Sequence, residues 1–364
     1  MCKLRSKDFE MEKKRFSNFE LLRVLLILFV IILHYNDSSR HGAFSFIESA
    51  SFANKMFLYG IESFTICAVN AFVCLSGYFL SGKKEVNVRK IYHLFLILFS
   101  YNVFRYVLSS VIHHDFSVKG FIYCFIPNNY YANLYSVLFL LSPFLNLVIK
   151  KLNNKNYEKF LLILISLFSI IPTITDYLLV TIFDFKFTSV SPISLYGNGR
   201  GFTLVNFVLL YYVGGYIARK DYTKKLKPLF IYILSSFFIF ITLTINRTAA
   251  FSYCNILVVI QAASLITFFK NIHFQSNVIN SLAKSVWGIF CIHGFIMAIY
   301  CKIFPYNLNV SMASLSMHFF ACIIFVFICS IIWEKICAFI LKPLELLLDK
   351  IKLFNKSITV KDEN

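Results

Sequence analysis

The stretch Phe19–Asp37, FELLRVLLILFVIILHYND, is apolar at nearly every position, yet it carries Glu20 and Arg23 near one end and His34 near the other. An apolar helix of about 18 or more residues crosses a hydrocarbon core of roughly 30 Å. A charged group at that depth is costly and usually functional. An α-helix advances about 100° and 1.5 Å per residue. The eleven steps from Arg23 to His34 therefore make three turns and about 20°, and place the two side chains on one face about 16–17 Å apart. Glu20 lies toward the same face, and with Ser17 it also fits a capping box at the helix start. Arg23 snorkelling to the headgroups and His34 marking the far interface are the plain alternatives to a functional pair.

Working outward, similar apolar runs recur along all 364 residues, which are 58% hydrophobic and 18% aromatic, with mean hydropathy +0.70. Soluble domains are nearer 45–50% apolar. The chain reads as an all-α polytopic membrane protein with ten spans: roughly 19–36, 58–81, 91–112, 131–149, 158–181, 203–218, 228–246, 251–269, 281–301 and 312–333. The fourth contains Asn133, Ser136 and Pro143, which predict a kink or a re-entrant turn. Mostly polar residues precede the first span and no small-residue cleavage site follows it, so it is expected to stay as a signal anchor.

The loops test this count. With a cytoplasmic N-terminus, the inner segments and their flanks hold 27 of the 36 Lys and Arg, and the outer segments hold seven. The positive-inside rule predicts such an imbalance, and one misplaced span would invert every later loop. Both termini are expected in the cytoplasm. The net charge of +18 is thereby topological, and nucleic acid is not an implied partner. Most of the ten cysteines lie in apolar runs and none forms a CxxC pair, so no metal site is expected. His113, His114 and Asp115 look metal-like, but adjacent helical residues point about 100° apart, and a solvated outer loop is the better reading. After the last span, Ile336–Phe354 mixes apolar residues with Lys342, Lys350 and Lys352. It reads as a separate amphipathic helix on the inner surface.

Other polar groups stand out at membrane depth. Arg105 lies in the outer half of the third span and His293 within the ninth, so each needs a partner or a cavity. His318 has only its residue type to recommend it. Ser76, beside Gly77, is either an acyl-carrying nucleophile or, more simply, part of a close-packing pair. Arg89 and Lys90 follow Lys83 and Lys84 in an inner loop, where ordinary positive-inside charge accounts for them.

Five pieces in order resemble the acyltransferase-3 family of bacterial membrane proteins. That family carries an Arg-x10-His signature on its first transmembrane helix, and Arg23 and His34 match the spacing. FVCLSGYFLSGKK (Phe72–Lys84), YSVLFLLSPFLNLVIKKL (Tyr135–Leu152), FVLLYYVGGYIAR (Phe207–Arg219) and WGIFCIHG (Trp287–Gly294) are similar to later helices of the family. The resemblance covers about residues 17–340. The family's Arg-x-x-Arg element is replaced here by VNVRKIYHLF, with Arg89, Lys90, Tyr92 and His93. The resemblance implies a standalone form without the C-terminal esterase-like domain of some relatives. It divides the chain into a basic cytoplasmic segment (1–18), a transmembrane acyltransferase domain (19–340) and a cytoplasmic tail (341–364).

The resemblance further implies transfer of an acyl group, commonly acetyl, from cytoplasmic acyl-CoA to a hydroxyl of a cell-envelope glycan or lipid-linked saccharide. The enzyme would sit, multi-pass, in the bacterial cytoplasmic membrane, among its lipids. Acyl-CoA is then a co-substrate and no metal is required. A hydroxyl needs a base, and histidine suits that role near neutral pH, which gives His34 the catalytic part. Arginine suits phosphate and amide recognition. Arg23, with Glu20, is therefore expected to orient the donor in a cavity shared with His34, and Arg89 and Lys90 to meet the CoA phosphates. Arg105, His293 and Ser76 are the expected acceptor contacts. A transporter of lipid-linked sugar would use similar residues. Such proteins often show internal repeats, and none is visible here.

Overall fold

A computed structural model describes residues 15–175, 177, 183, 199–221, 226–351 and 356–360. Most of the basic segment 1–18, the end of the predicted fifth span and most of the loop 182–202 lie outside the described residues. The apolar runs become helices, several with a glycine or proline inside them, and the order along the chain is α1 (Ser17–Asn36), α2 (Phe52–Thr65), α3 (Ala68–Leu80), α4 (Arg89–His113), α5 (Val118–Tyr123), α6 (Tyr130–Lys151), α7 (Asn154–Ile165), α8 (Ile171–Ile174), α9 (Leu204–Arg219), α10 (Lys227–Leu243), α11 (Arg247–Ala250), α12 (Ile256–Lys270), α13 (Asn277–Lys284), α14 (Val286–Ile303) and α15 (Met312–Asp349).

Seven helical stretches among the described residues are long and apolar enough to cross a membrane, the α2–α3 pair counting as one and α7 through α8 as another. α9, α10 and α12 are apolar but shorter. The protein is thus an all-α polytopic membrane protein. Large apolar side chains such as Phe230 and Phe237 of α10 and Phe320, Ile324 and Ile328 of α15 are exposed, as expected where lipid replaces water. α1 and the α2–α3 pair are largely interior. α4 is peripheral, with only 11% of its apolar window buried.

The tightest helix contact joins α3 to α9. A Cβ on Gly77 would collide with the Tyr211 carbonyl, and one on Gly214 with the Cys74 carbonyl. Small residues let backbones approach closely in membranes, where van der Waals packing replaces the hydrophobic drive. Gly77 therefore has a packing role. The Ser76 hydroxyl donates to the Phe72 carbonyl at 3.0 Å, the bond to the preceding turn that serine commonly makes in a helix.

Three local expectations are corrected. The capping box at the start of α1 does not form. Phe16 is the N-cap, while the Ser17 hydroxyl donates toward Gln275 Oε1 (3.1 Å) and Asn280 Oδ1 (2.9 Å) and accepts from the Ser276 amide (2.9 Å). Ser17 thus anchors α1 to the α12–α13 connection rather than capping its own helix. The predicted fourth span is not re-entrant: α6 runs continuously through Pro143. Finally, of the predicted helix Ile336–Phe354, the part up to Asp349 is not a helix of its own. α15 continues the last span as one helix to Asp349, with Pro343 inside it, because no glycine or proline interrupts Ile332–Leu341.

Beyond α15, β2 (Ser357–Thr359) pairs antiparallel with β1 (Glu85–Asn87) in the loop before α4, with Val86 opposite Ile358. His93 of α4 also lies 3.5 Å from Glu345 of α15. The C-terminal segment is therefore clasped to the end of the bundle that carries Arg89 and Lys90.

Candidate active site

α1 ends at Asn36, and its last turn brings three groups together. His34 Nδ1 lies 3.5 Å from Asp37 Oδ2, and Asp37 lies 3.6 Å from Arg40 Nε. Asp37 sits one helical turn past His34, so the helix itself sets this pair. Burial pushes the Asp37 carboxyl upward, but the His34 ring and the Ser39 hydroxyl and amide outweigh it and hold the group at about 2. Asp37 is thus a carboxylate at any working pH.

A fourth group comes from α14. The His293 ring stacks on His34 with centroids 4.9 Å apart and planes 28° apart. His293 is only 3% exposed. Its Nδ1 is 3.1 Å from the Ile289 carbonyl, and its Nε2 has no partner. A carbonyl oxygen accepts only, so Nδ1 carries the proton and the neutral ring presents Nε2 as an acceptor. By the same logic a proton on His34 Nδ1 faces the Asp37 carboxylate, leaving Nε2 as a base. Gly294 leaves room above this pair: a Cβ there would lie 2.7 Å from Arg40 Nη1.

These groups line a cavity of about 870 Å³. Its remaining wall includes Glu62, Asn102, Arg105, Tyr130, Arg200, Arg247, Tyr253 and the rings of Phe44, Phe202, Phe251 and Phe290. Glu62 is buried one helical turn before the break between α2 and α3, where the Thr65 hydroxyl donates to the Ile61 carbonyl (2.9 Å). Irregular backbone at membrane depth is tolerated where it lines a cavity, and Ile66 and Val69 line this one. Asn36 Nδ2 donates to Glu62 Oε2 at 2.8 Å. Glu62→Ala should strand that buried amide at a cost of about 1–3 kcal/mol and lower the melting temperature of detergent-purified protein. Glu62→Gln, which keeps an acceptor, should do so much less. Equal melting curves for both variants would remove Glu62 from the wall's support.

Three of the expected residues, His34, Arg105 and His293, meet in this cavity. Arg23, Glu20, Arg89, Lys90 and Ser76 do not line it. On α1 the wall extends no lower than Val30, and Ile27, fully buried, lies between it and Arg23. The expectation that Arg23 and His34 look into one continuous cavity is therefore not met by this cavity. Arg23 instead pairs with Glu20 at 2.6 Å and lies over the Phe79 ring at 5.3 Å. Glu20 also lies 3.5 Å from Arg15. Arg89 Nε donates toward His93 at 3.3 Å and Lys90 lies over Phe139 at 5.7 Å. Sixteen residues of α4 separate Arg89 from Arg105, about 24 Å of helix. His318 has a structural role, bonded to the Tyr35 hydroxyl (2.8 Å) and the Phe304 carbonyl (3.0 Å).

Sequence reasoning missed Asp37, although it ends the stretch that raised the question. It missed Glu62, whose carboxylate inside an apolar span was a usable signal. Arg40, Arg200 and Arg247 were counted only as outer-loop charge. A family model described as an acyltransferase domain matches residues 16–334. Neither the curated proteins nor the solved structures provide a match.

Proposed function

The chain belongs to the acyltransferase-3 family, and from that premise we propose that it moves an acyl group, acetyl by preference, from acyl-CoA to a hydroxyl of a cell-envelope glycan or lipid-linked saccharide. In this reading ten spans place both termini in the cytoplasm of a bacterium, so that the donor arrives from the Arg23 end and the acceptor from the His34 end. The observation that carries it is the His34 ring, set between the Asp37 carboxylate and His293 in a cavity of hydroxyl, amide and aromatic side chains. Such walls suit a sugar, whose ring faces stack on aromatics and whose hydroxyls bond to the polar groups.

His34 Nε2 removes the proton of the acceptor hydroxyl as its oxygen attacks the thioester carbonyl. Asp37 keeps the proton on Nδ1 and stabilises the imidazolium that forms, as a carboxylate does for the base in other acyl transfers. His293 Nε2 accepts a hydrogen bond from an acceptor hydroxyl and orients it, as the neutral ring allows. The tetrahedral adduct collapses with cleavage of the C–S bond, and the proton passes from His34 to the departing thiolate of CoA. Arg23 orients the donor at its own end of α1, and transfer requires the fully buried Ile27, which separates Arg23 from the cavity, to move aside.

Purified protein given radiolabelled acetyl-CoA and a membrane glycan fraction should place label covalently on the glycan. Movement of a lipid-linked sugar across proteoliposomes without labelling would replace this reading with a transporter. Asp37→Asn gives a second check. The variant should lose roughly 100-fold in rate. Loss of the negative charge makes protonation of His34 less favourable, so the acid limb of the pH–rate profile should move to lower pH. The titration of Asp37 itself, at about 2, lies too low to produce that limb. An unmoved limb would separate Asp37 from the base.

A further inference from the structure

The cavity wall carries an imbalance of charge that acyl transfer by itself does not use. Four guanidinium groups line it: Arg40, Arg105, Arg200 and Arg247. They come from four separate places in the fold: the turn Ser38–Arg40, α4, the turn Gly199–Gly201 and α11. Among the described residues the carboxylates in the same wall are Asp37 and Glu62, and both are engaged. Asp37 lies between His34 and Arg40, and Glu62 holds Asn36. Among the described residues, Arg105 and Arg247 have no carboxylate within 4 Å. Arg247 lies over the Phe44 ring at 5.6 Å, which leaves its edge for a ligand.

The turn that brings in Arg200 is itself unusual. Gly199, Arg200 and Gly201 are all left-handed, with φ of 52°, 53° and 87°. Arg200 is the one of the three that pays for this conformation. The Tyr253 amide donates to the Arg200 carbonyl at 2.9 Å, which ties the turn to the cavity wall. The turn thereby fixes Arg200 at the wall of a cavity that Arg105 and Arg247 also line.

We propose that the cavity recognises an oxyanion carried by the acyl acceptor, a saccharide bearing a carboxylate or a phosphate, with Arg105 and Arg247 as its main contacts. The inference rests on the acyl-transfer reading for the word acceptor, but the binding itself can be tested without turnover. Guanidinium groups bind both oxyanions through paired N–H donors. The phenylalanine rings take the sugar faces, and His34 and His293 lie at the other side of the same space, where the hydroxyl to be acylated must sit.

Full-length protein in detergent is titrated with three probes: methyl glucoside, methyl glucuronide and glucose 1-phosphate. Both anionic probes should bind roughly tenfold more tightly than the neutral one, since each charge-assisted hydrogen bond is worth about one such factor. The preferred anion distinguishes an acidic sugar from a sugar phosphate. Arg105→Gln and Arg247→Gln should each remove most of this preference while leaving the neutral probe's affinity unchanged. Arg105→Lys, which keeps the charge, should retain part of it. Lys119→Gln, on the exposed α5, should change nothing. Equal binding of all three probes by the unaltered protein would overturn the proposal whether or not the variants fold. So would displacement of the anionic probes by free CoA in competition with loss of CoA affinity in Arg105→Gln, which would make this the donor's site. Acetyl-CoA binding by the unaltered protein is followed in parallel. Its absence beside selective anion binding would remove the acyl-CoA reading and leave this one standing.

Discussion

His34→Gln should lower acyl transfer by a factor of about 10²–10⁴, the usual contribution of a positioned general base. Glutamine is close to the imidazole in size and still offers a donor toward Asp37, but it has no basic nitrogen to take the hydroxyl proton. The variant should insert, fold and bind acetyl-CoA as the unaltered protein does, because the ring is not part of the packed core and reaches the cavity at 23% side-chain exposure. The measurement is initial rate of label transfer at saturating donor, together with the apparent KM for acetyl-CoA. A fall in kcat with KM unchanged marks loss of a group used in the transition state. Normal kcat in a well-folded His34→Gln protein would end the assignment. The companion His293→Gln should cost less, because its Nε2 orients a hydroxyl rather than removing a proton. If the order of the two losses is reversed, the base is His293 and His34 is its neighbour.

The second large effect concerns the scaffold. Gly214→Val should prevent α3 and α9 from closing, because any Cβ at that position collides with the Cys74 carbonyl. The obstacle is backbone, which cannot rotate away as a side chain can. Overpacking of this kind typically costs about 1–3 kcal/mol or more, and membrane helices have little hydrophobic drive to offset it. The expected result is a loss of monodisperse protein in detergent, or a melting transition lowered by several degrees. Gly60→Ala is the control: a Cβ there meets nothing within 4 Å, and alanine in a helix is favoured over glycine by about 0.5–1 kcal/mol. A Gly214→Val protein that melts with the unaltered one would show that the contact does not hold the bundle together.

The two effects differ in where their signals lie. Gly214 and Gly77 sit in short motifs, and their chemistry, the lack of a Cβ, is local. His34 was legible for a related reason: a polar group on an apolar helix is costly enough to be informative without knowing its neighbours. Glu62, a carboxylate inside an apolar span, carries the same kind of signal. The capping box at Ser17 and Glu20 shows the opposite failure. The spacing was correct, but Ser17 found better partners 258 to 263 residues away, and Glu20 was taken by Arg23.

What the amino-acid sequence determined by itself is the class of the protein: long apolar runs must become helices in lipid, because no other open structure satisfies its backbone there. It also determined that Arg23 and His34 share a helical face, since helical geometry is local. The tertiary structure decided which residues meet. It stacked His293 on His34 across 259 positions, turned four scattered arginines into one cationic wall, and left Arg23 outside the cavity behind Ile27. These are contacts between distant segments, set by how helices pack, and no periodicity along a single run encodes them.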